Sequence, residues 1–142
     1  MVRKAKACDA ERIFEIRKEC NEETELTIVQ NEILSKNYIV MVAENESESV
    51  VSFLSAMVSF DACDIIMVAT KKDYRKKGFA QGLFDELKKE LKNKNISQIF
   101  LEVRQNNDNA IALYKKLGFV EIGRRKKYYQ NTFDALVMKL SL

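Results

Sequence analysis

The stretch that most constrains the fold runs from Ile65 to Leu87 and reads IIMVATKKDYRKKGFAQGLFDEL. An apolar, strand-like run (Ile65, Ile66, Met67, Val68) meets a short basic loop. The loop opens directly into a helical pattern over residues 78–92 that places Phe79, Leu83, Phe84, Leu87 and Leu91 on one face. A second apolar run, ISQIFLEV at residues 96–103, follows. Strand, helix and strand in this order imply a parallel pair joined by a right-handed crossover.

Around that unit the pattern is hairpin-like. Residues 2–6 read as a short edge strand, 38–43 and 50–58 as a hairpin about the polar turn 45–49, and 61–69 as a third strand. The final strands fall at 119–129 and 133–140. Helices are expected from an N-cap at Asp9 to about residue 21, at 29–36, at 78–92 and at 107–117, where Gly118 suits a left-handed C-cap. The chain therefore reads as a single domain over residues 1–142 of the α+β (mixed α/β) class. Its central sheet is mostly antiparallel with one parallel pair, and it carries four helices.

Composition narrows the chemistry. The 24 basic and 21 acidic residues leave a net charge of +3, too small for a polycation, although the cations are bunched. No apolar run approaches the roughly 18 residues of a membrane span, and the N-terminus lacks the apolar core of a signal peptide. Three cysteines, Cys8, Cys20 and Cys63, form no CxxC pair, which disfavours a disulfide framework and a zinc site. A cytoplasmic location and no membrane partner are expected. Histidine is absent, so no His general base, His-assisted nucleophile or His-ligated metal is available. Proton transfer has to use Glu, Asp, Tyr, Lys or Cys.

Three positions carry candidate chemistry. The loop Arg75, Lys76, Lys77, Gly78, Phe79, Ala80 stands where a helix N-terminus offers free N–H groups and a positive dipole end. It is either an anion cradle or a solvated basic turn. Walker A and GxGxxG patterns are missing, so a single pyrophosphate fits better than a nucleoside triphosphate or dinucleotide. Glu102 shares one strand face with Phe100 and Arg104, while Leu101 and Val103 share the other. A carboxylate on a central strand is either paired, with Arg104 or another base, or functional as a general base. Tyr114 is either a core anchor ahead of Gly118 or a proton donor. Cys63 has no neighbour to activate it and reads as packing. The run RRKKYY at residues 124–129 reads as a solvated strand end rather than a nucleic-acid patch.

Taken together, V-A-T…R-K-K-G-F-A, then L-E-V-R, then N-x-x-A-I-x-L-Y-x-x-L-G-F resembles the GCN5-related N-acetyltransferase (GNAT) superfamily. RKKGFA matches its acyl-CoA pyrophosphate loop, written Arg/Gln-x-x-Gly-x-Gly/Ala. The longer string LEVRQNNDNAIALYKKLGFVEIGRRKKYY, followed by DALVMKL, is similar to the RimI-type ribosomal-protein alanine N-acetyltransferases.

The resemblance implies a splayed parallel pair with acetyl-CoA in the gap. Its pantetheine is expected on the backbone of Val68, Ala69 and Thr70, and its pyrophosphate on the N–H groups of Lys76, Lys77, Gly78, Phe79, Ala80 and Gln81 with Arg75 beside them. Asn107 matches a further cofactor contact, Glu102 the general base and Tyr114 the general acid. No metal is expected, and a backbone N–H near Ala69 would polarise the thioester carbonyl. The implied acceptor is a protein N-terminus, possibly of a ribosomal protein, with no direct nucleic-acid contact.

Two segments depart from the RimI-type pattern. NEETELTIVQ replaces its Pro-Trp-rich stretch, and the link YYQNTFDALVM is short. Acidic Glu22, Glu23 and Glu25 make a polyamine or aminoglycoside the alternative acceptor. A non-catalytic acyl-CoA or nucleic-acid-binding module is the third reading.

Overall fold

The computed structural model describes residues 1–20, 22–129 and 133–142, with backbone only for 127–129. Strands β1 (Val2–Lys4), β2 (Tyr38–Glu44), β3 (Val50–Ser59), β4 (Ala62–Thr70), β5 (Gln98–Arg104), β6 (Val120–Tyr129) and β7 (Phe133–Ser141) form one sheet in the order β1-β2-β3-β4-β5-β7-β6. Helices α1 (Ala10–Glu19), α2 (Leu26–Leu34), α3 (Phe79–Asn93) and α4 (Asp108–Lys116) pack against it. Among the described residues only β4 and β5 pair in parallel. The expected mixed α/β class, parallel crossover and four helices are all present among the described residues. None of those helices is long and apolar enough to cross a membrane.

Each face of the sheet has its own core. On one, Leu83, Phe84, Leu87 and Leu91 of α3 meet Met41, Leu54, Cys63, Ile99, Leu101 and Met138, with Tyr114 and Phe119. Burying each large apolar side chain here contributes about 1.5–3 kcal/mol. On the other, Ile13 and Ile16 of α1 and Val29 of α2 cover Val40, Val42 and Phe53. That second layer spans β2 to β4 and stops short of β5. This is why β5 alternates half-buried and buried residues instead of being apolar on both faces.

Two helix ends explain where chains turn. After α4, Gly118 adopts φ +102°, its N–H donates to the Lys115 carbonyl (3.0 Å), and the Phe119 N–H donates to Tyr114 (2.9 Å). That is a Schellman motif, and its apolar clasp is the Tyr114–Phe119 ring pair, 5.8 Å between centroids. The α3 end repeats it with Asn95 at φ +59° and Ile96 N–H bonded to the Leu91 carbonyl (2.9 Å). Ile96 is therefore part of the cap and β5 begins at Gln98, two residues later than the apolar pattern indicates.

Two other boundaries move for physical reasons. Helix α2 starts at Leu26 rather than residue 29, because Leu26, Val29 and Ile33 together form its buried face. Asp9 does not cap α1 as expected. It is itself in a helical conformation, and its carboxylate reaches back to the Lys6 N–H (2.7 Å) and to the Arg3 guanidinium (2.7 and 3.0 Å).

Gly118→Ala forces an L-residue into the left-handed region and sets a methyl 3.1 Å from Leu140 Cδ1. It should cost about 1–2 kcal/mol, read as a lower melting temperature in a calorimetric scan. The Arg3 guanidinium holds the Asp9 carboxyl below its ordinary 3.8, against the opposing effect of burial, and the Lys6 N–H adds to the lowering. Its stabilisation is present above the unfolded value and is lost as pH falls through the lowered one. Asp9→Asn should therefore lower the melting temperature at pH 7, and the difference from wild type should shrink as pH falls below the ordinary carboxyl value and through the lowered one.

Candidate active site

Parallel pairing between β4 and β5 covers only Ala62–Gln98, Cys63–Ile99 and Asp64–Phe100. Beyond Asp64 the two strands part. The cause is local: opposite β3, the register passes from Ala56–Ile65 to Ser55–Met67, so Ile66 is a bulge residue with no partner. The bulge resets the side-chain alternation. Cys63, Ile65 and Val68 join the α3 core, whereas Met67 and Ala69 join the α1/α2 core.

The same bulge re-aims the backbone. Lys71 N–H donates to the Val51 carbonyl (2.8 Å) and the Ala69 carbonyl accepts the Ser52 hydroxyl (2.9 Å). Odd-numbered residues in this stretch thus turn their main-chain groups to β3, and by alternation Val68 and Thr70 turn theirs into the gap. The Thr70 carbonyl accepts Arg75 Nε (3.0 Å), leaving both main-chain groups of Val68 and the N–H of Thr70 lining the gap.

Both crossover helices begin at this end of the gap, and they begin differently. Helix α4 is capped by Asn107, whose side-chain oxygen accepts the Ala110 N–H (3.2 Å). Helix α3 starts from Gly78 with no side-chain cap and no acidic residue in its first turn. The N–H groups of Phe79, Ala80 and Gln81 precede the first intrahelical bond, from Gly82 to the Gly78 carbonyl (3.1 Å), and so point outward. Lys76 (φ +61°) and Gly78 (φ +88°) both lie in the left-handed region, which curls the loop into a concave run of N–H groups. Arg75, Lys76 and Lys77 are exposed around it. Lys77 Nζ sits over the Tyr74 ring (5.8 Å), and Tyr74 packs edge-on to Phe79 (6.2 Å). A cradle of uncapped N–H groups beside three cations fits a pyrophosphate.

Glu102 lies on the half-buried face of β5 with Phe100 and Arg104. Its carboxylate accepts Arg125 Nε from β6 (2.8 Å), so its cationic partner is Arg125; Arg104 instead lies over the Phe133 ring (5.6 Å). The long separation of Arg125 in sequence hid this pairing. Tyr114 faces the other way. Its ring, 9% exposed, packs edge-on with Phe84 (6.0 Å) and Phe119 (5.8 Å) in the α3 core. Glu102 and Tyr114 thus sit on opposite faces of the sheet, with Glu102 on β5 two residues beyond the last β4–β5 pair. Cys63 is packing, as expected: burial, with the Asp64 charge adding, pushes its thiol up to about 12.

The α1 end closes on this loop in a way the sequence did not signal. Glu19 Oε1 accepts the Lys72 N–H (2.8 Å), and Arg75 Nη2 lies 3.7 Å from Cys20 Sγ. Acidic Glu22, Glu23 and Glu25 are exposed in the α1–α2 connection. Residues 130–132, and the side chains of 127–129 in the basic-aromatic run, lie outside the described residues.

Known proteins are similar to this chain in sequence and fold. The chain is 35% identical over 94 residues to the ribosomal protein bS18-alanine N-acetyltransferase of Escherichia coli (strain K12), and the match spans 64% of this chain and 64% of the relative's length. It is 30% identical over 113 residues to the putative enzyme of the same name from Bacillus subtilis (strain 168), covering 79% of this chain and 75% of that one. The crystal structure of the E. coli ribosomal-protein-S18-alanine N-acetyltransferase superposes with a TM-score of 0.89 at 26% identity, over 99% of this chain and 92% of that chain. The model of the Acetyltransferase (GNAT) family matches residues 10–119, from the first turn of α1 to the clasp that ends α4. That is well over half of the sequence, and the chain belongs to the acetyltransferase (GNAT) family.

Proposed function

We propose that the protein is an acetyl-CoA-dependent N-acetyltransferase whose acceptor is the N-terminal α-amino group of a protein, a ribosomal protein by analogy with its relatives. The observation that carries the reading is the gap between β4 and β5, lined by Val68 and Thr70 main-chain groups and ending at the uncapped start of α3. Acetyl-CoA supplies the activated acyl group. Val68 and Thr70 hold an extended amide-bearing chain as a neighbouring strand would. Arg75, Lys76, Lys77 and the N–H groups of Phe79, Ala80 and Gln81 neutralise and bind a pyrophosphate.

Glu102 takes a proton from the incoming amine, directly or through one water. An α-amino group, with a reference pKa near 8, asks less of a single carboxylate than a lysine near 10.4 does. Tyr114 returns a proton to the departing sulfur from the opposite face. Direct transfer needs no covalent intermediate on the enzyme, which suits a chain without histidine. Among the acceptors, a protein N-terminus is favoured by the E. coli and B. subtilis relatives. The exposed Glu22, Glu23 and Glu25 make small polyamines the comparison to run beside it.

Glu102→Gln should lower kcat on an alanine-initiated peptide by about 10²-fold. Its melting temperature should barely change, because an ion pair this exposed is worth at most about 1 kcal/mol. Mass spectrometry of acetylated peptides and of polyamines incubated in parallel reads both rate and acceptor; unchanged peptide kinetics would remove Glu102 from the mechanism. Tyr114→Phe keeps the ring that Phe84 and Phe119 clasp. It should leave stability within about 1 kcal/mol while slowing thiol release at least about tenfold in a stopped-flow assay.

A further inference from the structure

Arg17, Glu32 and Ser55 form a buried polar network that the acyl-transfer reading does not use. Arg17 of α1 donates to both carboxylate oxygens of Glu32 on α2 (Nη2–Oε1 2.6 Å, Nη1–Oε2 3.3 Å), and the Ser55 hydroxyl of β3 donates to the same Oε1 (2.6 Å). The two charged side chains are only 5% and 9% exposed. The Arg17 guanidinium lies 5.2 Å from the centre of the Phe53 ring, and its Nε is buried without a hydrogen-bond partner.

Such a network is a poor device for stability. Taking two charges out of water costs several kcal/mol each, and well-packed apolar side chains of like volume generally do as well or better. An orphaned Nε adds to the cost. What a bidentate ion pair provides instead is a fixed direction.

Its location gives that direction a use. Ser55 pairs with Met67, the residue immediately beyond the Ile66 bulge, at the point where β4 leaves β5. From there to Thr70, β4 has a ladder on one side only. Its side chains Met67 and Ala69 pack into the α1/α2 core that Arg17 and Glu32 hold together. At the far end, α1 fastens the same stretch again through Glu19 and Lys72. The open half of β4 is therefore flanked at one end by the network, through its β3 partner Ser55, and at the other by the Glu19–Lys72 bond just past Thr70.

We infer that Arg17, Glu32 and Ser55 are positioning residues that set the open half of β4 for acyl-donor binding, through the bulge and not through contact with the donor. This inference rests on the acetyl-CoA reading. Removing the network should loosen Val68 and Thr70 and weaken donor binding even where the fold is kept.

The test pairs Arg17→Met with Glu32→Leu in one chain and uses Ser55→Ala as a second, milder variant. Acetyl-CoA affinity is read by titration calorimetry, and amide exchange over residues 65–70 by mass spectrometry, at temperatures matched to each melting point. The double variant should melt close to wild type, bind acetyl-CoA about tenfold more weakly and exchange faster over 65–70. Ser55→Ala should move both readouts the same way by a smaller factor. Should the double variant fail to fold, Ser55→Ala alone decides. Wild-type affinity and exchange in a folded variant overturn the inference while leaving the acetyltransferase reading intact. Failure of the wild-type chain itself to bind acetyl-CoA overturns both.

Discussion

Parallel pairing between β4 and β5 stops after Asp64 and Phe100, and much of the molecule is arranged around that stop. A strand that loses its neighbour exposes main-chain donors and acceptors, and leaving such groups buried and unmet costs about 1–3 kcal/mol each. The fold answers in two ways. The bulge at Ile66 turns Val68 and Thr70 outward, where water or a ligand strand can meet them. The α1/α2 layer packs against this stretch through Met67 and Ala69, with bonds to its β3 partner Ser55 and to Lys72 just beyond it.

Electrostatics completes the opening. Two helices start at the same end of the sheet, and their caps divide the labour. Asn107 caps the first turn of α4 by accepting the Ala110 N–H. Gly78 offers α3 nothing, and two left-handed residues with three cations turn that vacancy into a concave positive surface. With a net charge of only +3, positive potential here comes from this local arrangement and not from an overall field.

The half-covered sheet has a further consequence. Because α1 and α2 end over β4, the matching face of β5 stays half-open, and a carboxylate at Glu102 survives there beside Arg125 without the penalty of full burial. The buried face of the same strand packs tightly enough to hold Tyr114 between two phenylalanines. One strand thus presents a half-open face with Glu102 and Arg104 and a closed apolar face of Ile99, Leu101 and Val103.

Local patterns in the sequence carried the crossover, the strand list, the basic loop and the αL position of Gly118, because each depends on residues close together in the chain. Boundaries slipped where an apolar residue served a cap instead of a strand, as with Ile96, or where a buried face began early, as with Leu26. Arg17 and Glu32 left a faint trace, charges standing on otherwise apolar helix stripes beside Ile13, Ile16, Val29 and Ile33. What the linear order could not contain is pairing between distant elements. The Ile66 bulge, Arg125 over Glu102, Ser55 on Glu32 and Glu19 on Lys72 each join residues that only packing brings together. By itself the sequence determined which segments become strands and helices and where a basic loop opens into a helix, since periodicity and helix ends are local physics. Only the tertiary structure decided where β4 leaves β5 and what holds it there, since that is a balance of ladder bonds and buried contacts across the whole sheet.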